Sequence, residues 1–125
     1  MYTLQPMNIE DFRDYCLLKP GATEELPFGP ETLVFKVGGK LFALTPLDTF
    51  ESVNLKCDPA RAVDLREQYD YVLPGYHMNK KHWNTVRIGT GATDAQLREW
   101  VDHSYDLILQ SFSRARREAL TGPLE

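Results

Sequence analysis

The chain is poor in cysteine, has no long apolar run and carries no excess of positive charge. Cys16 and Cys57, two thiols among 125 residues, are too few for a disulfide scaffold and lack the paired spacing of a zinc ligand set. Both fall at inward-facing positions of the patterns below, so they read as buried thiols in a reducing compartment. No segment approaches the roughly 20 apolar residues that span a bilayer. Residues 1–6 lack the basic and apolar regions of a secretory signal, so the expectation is a cytoplasmic protein with no membrane contact. With 14 Lys and Arg against 18 Asp and Glu, the formal charge is −4. That balance excludes a uniformly basic coat for nucleic acid and leaves only a local patch.

Catalytic signatures are missing as well. There is no Gly-x-Ser-x-Gly elbow, and neither cysteine adjoins a histidine. Gly89-Thr90-Gly91 lacks the third glycine of a dinucleotide fingerprint, and Asp94 in its place would repel a phosphate. His77 and His82 have no third metal ligand nearby, and His103 reads as a surface or structural residue. The sequence therefore predicts no catalytic residue, no metal and no cofactor, in a binding protein rather than an enzyme.

What is present describes one globular domain. Hydrophobic residues make up 42% and charged residues 26%, and a chain of this length buries roughly two-thirds of its unfolded surface without staples. The expected organisation is a flexible extension over 1–6, one domain over 7–120 and a frayed tail over 121–125, in a monomer. A first helix runs from about Ile9 to Lys19, capped by Asn8, with Ile9, Phe12 and Cys16 inward. Residues 33–37 and 40–44 flank Gly38-Gly39, a hairpin signal that places Phe35 opposite Phe42 and Leu33 opposite Leu44 on the core face. Val34, Lys36, Leu41 and Ala43 then share the reverse face. A strand over 52–57 alternates with Val53, Leu55 and Cys57 inward. Asp58-Pro59 opens a second helix with Ala62, Leu65 and Tyr69 buried. A loop over 73–82 leads to a strand over 83–88, and a long C-terminal helix starts at a Thr93–Gln96 capping box. Its end carries Arg114, Arg116 and Arg117, where cations suit the helix dipole. The predicted fold is α+β in two layers, with helices on one face of an antiparallel sheet and the other face open.

The charges sort unevenly over that arrangement. Acids crowd the helices and connections, whereas the outward strand positions carry Lys36, Lys56 and Arg87 and no carboxylate. From Tyr71 to Thr93 the chain holds Lys80, Lys81 and Arg87 and no acid. One side of an acidic protein is thus expected to be cationic, the footprint of a binder of phosphates or acidic surfaces. Lysines at exposed strand positions also guard a sheet against edge pairing, so the pattern alone fits a solvated face too. Tyr76 and Trp83, beside Lys80, Lys81 and His82, are candidates for base stacking, and Trp83 is equally a candidate to seal one end of the sheet. His77, Asn79 and His82 are expected to brace their loop with hydrogen bonds.

The run Pro74-Gly75-Tyr76-His77-Met78-Asn79-Lys80-Lys81-His82-Trp83-Asn84-Thr85-Val86 is specific enough to carry a family resemblance. With residues 8–16 and 20–29, Val34 to Lys40, and Val53 to Pro59, the chain resembles the YjbR/MmcQ-like family of small bacterial proteins over about Met7 to Ala119. The resemblance implies an antiparallel sheet backed by helices, similar to secretion-chaperone-like domains. It also implies likeness to a phage activator's double-wing DNA-binding domain, in which an open sheet faces DNA. The expected function is DNA-backbone binding through Lys36, Lys56, Tyr76, His77, Asn79, Lys80, Lys81, His82, Trp83 and Arg87. The alternative is an adaptor that docks a protein or peptide on the same face.

Overall fold

The computed structural model describes residues 7–76 and 78–122. The expected extension over 1–6, His77 and residues 123–125 lie outside the described residues. In chain order the elements are α1 (Ile9–Leu17), β1 (Ala22–Glu25), β2 (Thr32–Val37), β3 (Lys40–Pro46) and β4 (Ser52–Lys56). They continue with α2 (Pro59–Gln68), β5 (Val72–Pro74), β6 (Trp83–Arg87), α3 (Asp94–Gln110) and α4 (Arg114–Thr121). The strands form one six-stranded antiparallel sheet in the order β1-β2-β3-β4-β6-β5. The fold is α+β, as the sequence predicts.

The helix starts follow from their caps. The Asn8 side chain accepts the Asp11 amide at 2.8 Å, Asp58 accepts the Arg61 amide at 3.2 Å, and Thr93 accepts the Gln96 amide at 3.1 Å. Each satisfies an amide that the first helical turn leaves unpaired. The C-terminal helix departs from expectation. It stops at Gln110, and Ser113 accepts the Arg116 amide at 3.2 Å to start α4. Arg114, Arg116 and Arg117 therefore open a helix instead of closing one, at the end where the dipole disfavours cations. Arg117 offsets this by donating back to the Phe112 carbonyl at 2.6 Å.

The hairpin turn is as expected, and its register is not. Gly38 and Gly39 have φ of 61° and 83°, the positive pair that a two-residue primed turn requires. A Cβ on Gly38 would also meet the Phe112 ring at 2.7 Å, so glycine is needed twice over. Val37 faces Lys40 and Lys36 faces Leu41, but the register then shifts, so that Phe35 faces Ala43 and Leu33 faces Thr45. Phe42 is the extra residue of a β-bulge. The bulge lets Phe42 and Ala43 both be fully buried and turns Leu44 to the opposite face, where the sequence expectation had placed Ala43.

One face of the sheet is the core. Phe35, Phe42, Val53, Leu55 and Val86 meet Phe12 and Cys16 of α1 and Leu97, Trp100, Val101 and Ile108 of α3. Phe12 packs edge-on against Phe35 at 5.8 Å and at a tilt against Phe50 at 5.5 Å, and Phe42 packs edge-on against Tyr105 at 5.5 Å. Leu65 of α2 and Leu120 of α4 join the margin. The β3–β4 pairing ends at Ala43 and Leu55, one residue short of Phe42 and Lys56. Ser104, wholly buried on α3, bridges that end by accepting the Lys56 amide at 2.9 Å and donating to the Phe42 carbonyl at 2.5 Å. Among the described residues, no helix is long and apolar enough to cross a membrane.

Candidate nucleic-acid interface

Directly opposed residues of an antiparallel sheet share a face. Reading across the strands, Glu25, Val34, Leu44, Asn54, Thr85 and Leu73 form one continuous row on the face away from the helices. Lys36 lies on that face opposite Thr23 and Leu41, Lys56 lies opposite Trp83, and Arg87 lies opposite Ser52. The three cations that alternation assigned to one side are therefore on one side. Lys56 and Arg87 mark opposite ends of the β4–β6 pair, about 13 Å apart at roughly 3.3 Å per residue.

The face also carries an acid that the sequence reading did not place there. Residues 22–25 form an edge strand, and the Glu25 carboxylate lies 3.4 Å from Lys36 Nζ. Strand β1 went unrecognised because Ala-Thr-Glu-Glu has no apolar alternation. Its other glutamate, Glu24, turns to the helical side and binds Arg13 of α1 at 2.6 Å. Val34 and Thr85 are buried, so solvent reaches the row at Glu25 and at the half-buried Leu44, Asn54 and Leu73.

The loop after β5 lies at the Lys56 end and is tied down by its main chain. The Tyr76 amide donates to the Thr85 hydroxyl at 2.9 Å, that hydroxyl donates to Asn54 Oδ1, and Asn54 Nδ2 donates to the Tyr76 carbonyl at 3.4 Å. Gly75 is buried, and a Cβ there would sit 2.7 Å from Trp83 Cβ, so only glycine lets the loop lie this close to β6. The Asn79 side chain accepts the Lys81 amide at 2.9 Å, the bracing role expected of it. Lys80 donates weakly to the Gly75 carbonyl at 3.4 Å, and its own carbonyl accepts Arg66 of α2 at 3.2 Å. The half-buried His82 contributes main-chain bonds, to Asn79 at 3.2 Å and to Cys57 at 2.8 Å. Trp83 is 9% exposed and Tyr76 is 68% exposed. Of the two candidate stacking rings, Tyr76 is the one that solvent reaches.

Above Leu44, Pro46 and Asn54 the face forms a recess of about 450 Å³, walled by Phe28, Tyr76 and Met78. Phe28 is 73% exposed, on the connection from β1 to β2. A second recess of about 510 Å³ shares Ser52, Tyr76 and Thr85 with the first and runs on to Arg87 and Glu51. Phe28, Leu44, Pro46 and Met78 were missed as surface residues of this face. The sequence signals were an isolated aromatic between Pro27 and Gly29, and a β3 register that only the bulge decides.

Cations without a carboxylate partner occur on both sides of the molecule. Among the described residues, Lys56, Lys80, Lys81 and Arg87 have no carboxylate within 4.0 Å, and Arg66, Arg98 and Arg117 of the helices also lack one. Arg13, Lys19 and Arg61 are held by Glu24, Asp102 and Glu99 on the helical side. Lys40 and Arg116 lie over the Phe112 ring. The thiols sit away from the open face in environments that keep them protonated. Burial pushes Cys16 far up and Cys57 up to about 11, despite nearby Arg61. His103 is structural, its Nε2 accepting the Asp58 amide at 3.2 Å. Burial holds its pKa below the usual value, helped by Arg61 and opposed by Asp58, Asp106 and Glu99.

Known proteins share both the sequence and this architecture. The YjbR family model matches residues 17–107. The chain is 33% identical to YjbR of Escherichia coli K12 over 115 residues, covering 91% of this chain and 98% of that protein. It is 42% identical to YbdF of Escherichia coli O157:H7 over 89 residues, covering 70% of this chain and 73% of that protein. Among solved structures, a Deinococcus radiodurans protein described as a DUF419 domain superposes with a TM-score of 0.85 at 38% identity. That match covers 92% of this chain and 88% of the other. A Pseudomonas syringae protein superposes with a TM-score of 0.66 at 27% identity, covering 82% of this chain and 99% of the other. With the family pattern spanning most of the chain and the same fold recurring in these structures, the protein belongs to the YjbR family.

Proposed function

We propose that this protein is a non-enzymatic DNA-binding module that holds the nucleic-acid backbone against its open sheet face. The observation that carries the reading is the set of four cations on or beside that face, Lys56, Lys80, Lys81 and Arg87, that no described carboxylate neutralises. Phosphate contacts by such a set supply affinity and register without reading sequence. Lys36 contributes less, because Glu25 lies 3.4 Å away, and Glu51 limits the anion capacity of the Arg87 end. Non-specific affinity of this kind is expected between roughly 1 and 100 μM at physiological salt. A salt titration tests it: log affinity for DNA falls linearly with log salt, and the triple variant K80E/K81E/R87E loses binding. Absence of binding at low salt rejects the proposal.

A second reading rests on a different observation. The recess between Phe28, Leu44, Pro46 and Met78 is apolar, as a peptide-docking groove would be. A partner captured in an adaptor role would depend on these residues and be indifferent to salt. Substitution of the four cations therefore separates the two readings.

A further inference from the structure

Resting on the DNA-binding reading, we propose that the occupant of this face is unpaired, single-stranded nucleic acid. Its bases stack on Tyr76 and Phe28, while its phosphates run along the cationic ends.

The argument starts from the mismatch between this face and a duplex. A duplex hides its base faces in the stack and presents phosphates and groove edges. Lys56 lies at one end of the face and Arg87 at the other, and the loop that carries Lys80 and Lys81 enters β6 at the Lys56 end. Between them lie the Leu44, Pro46 and Met78 side chains and the exposed rings of Phe28 and Tyr76. Apolar groups at the centre of a duplex contact would desolvate phosphates without compensating them. An unpaired strand instead offers π-faces to the centre and phosphates to the ends, the complementarity that general single-strand binders use.

Two further features define the class of ligand. Both rings lie far above the exposure of other aromatic side chains on the sheet: 73% for Phe28 and 68% for Tyr76, against 9% for Trp83. The Tyr76 main chain is fixed to the floor at both its amide and its carbonyl, which anchors the residue at the margin of the recess before a ligand arrives. The polar groups of the floor, Asn54 and Thr85, are engaged with each other and with that main chain. They therefore have little capacity left to read base edges, and the expected recognition is stacking that tolerates any sequence.

The test is fluorescence anisotropy with an end-labelled oligothymidylate, a mixed-sequence single strand and a duplex of the same length, in one buffer at low salt. The single strands are expected to bind about tenfold or more tightly than the duplex and within a few-fold of each other. F28A and Y76A are each expected to weaken single-strand binding about tenfold, with Y76F close to the parent protein and duplex binding unchanged. Thermal melts of each variant confirm that the fold survives. Equal affinity for single strand and duplex, with F28A and Y76A silent, overturns the single-strand assignment and leaves backbone binding standing. Binding to neither probe at low salt overturns both.

Discussion

The two faces of this sheet are built from the same strands and treat polar atoms in opposite ways. On the helical face, Ser104 is fully buried and spends its hydroxyl on two main-chain groups just past the end of the β3–β4 pairing. On the open face, Asn54 and Thr85 tie down a loop whose tyrosine ring faces water. One face uses polar atoms to complete a core, and the other uses them to position an exposed side chain. Free energy of folding should therefore concentrate on the helical side, and binding on the open side.

Truncation inside the core gives the largest expected break in that contrast. Phe12→Ala removes a ring that packs on both Phe35 and Phe50, and it should cost about 3–5 kcal/mol in urea unfolding. Leu44→Ala on the open face should cost about 1 kcal/mol, because that side chain is only half-buried. Near-equal losses would mean the open face is packed like a core. Ser104→Ala comes next, at about 1–3 kcal/mol, since it strands a buried amide and a buried carbonyl together. A Ser104→Ala protein that melts with the parent would deny the bridging role.

The thiols sharpen the same contrast chemically. With burial raising Cys57 to about 11 and Cys16 higher still, both should react very slowly with a disulfide reagent at pH 8 and rapidly in guanidinium. Fast reaction of the native protein would place a cysteine outside the core. The smallest expected effect is the pH dependence from His103. Its folded-state pKa is depressed, so between that value and about 6.5 the unfolded chain binds more protons. Stability contributed by neutral His103 is thus present above about pH 6.5 and lost as pH falls below it. Melting temperatures of H103Q should show a weaker acid-side decline than those of the parent, and an unchanged profile would assign the decline elsewhere.

How much of this was legible beforehand follows from which forces are local. Caps, the Gly38-Gly39 turn and the period-2 alternation of Val53 and Leu55 depend on neighbouring residues, and the sequence states them directly. The placement of Lys36, Lys56 and Arg87 on one face was readable for the same reason. The bulge at Phe42 was not, because it depends on Tyr105 and Ser104, 62 or more residues away, for its packing and hydrogen bonding. Short edge strands β1 and β5 are defined by their pairing with β2 and β6 and carry no apolar period. Their omission hid Glu25 from the charge map. Phe28 belongs to the face only because β1 and β2 pair around its loop, a tertiary fact with no local sign.

Nitrogen-edited NMR during an oligonucleotide titration at low salt addresses the central claim at residue resolution. Amide shifts should gather on Leu44, Asn54, Tyr76, Lys80, Lys81, Thr85 and Arg87 while α1 and α3 stay unmoved. Shifts confined to the helical side, or none at all with DNA in excess, would contradict the assignment of binding to the open face.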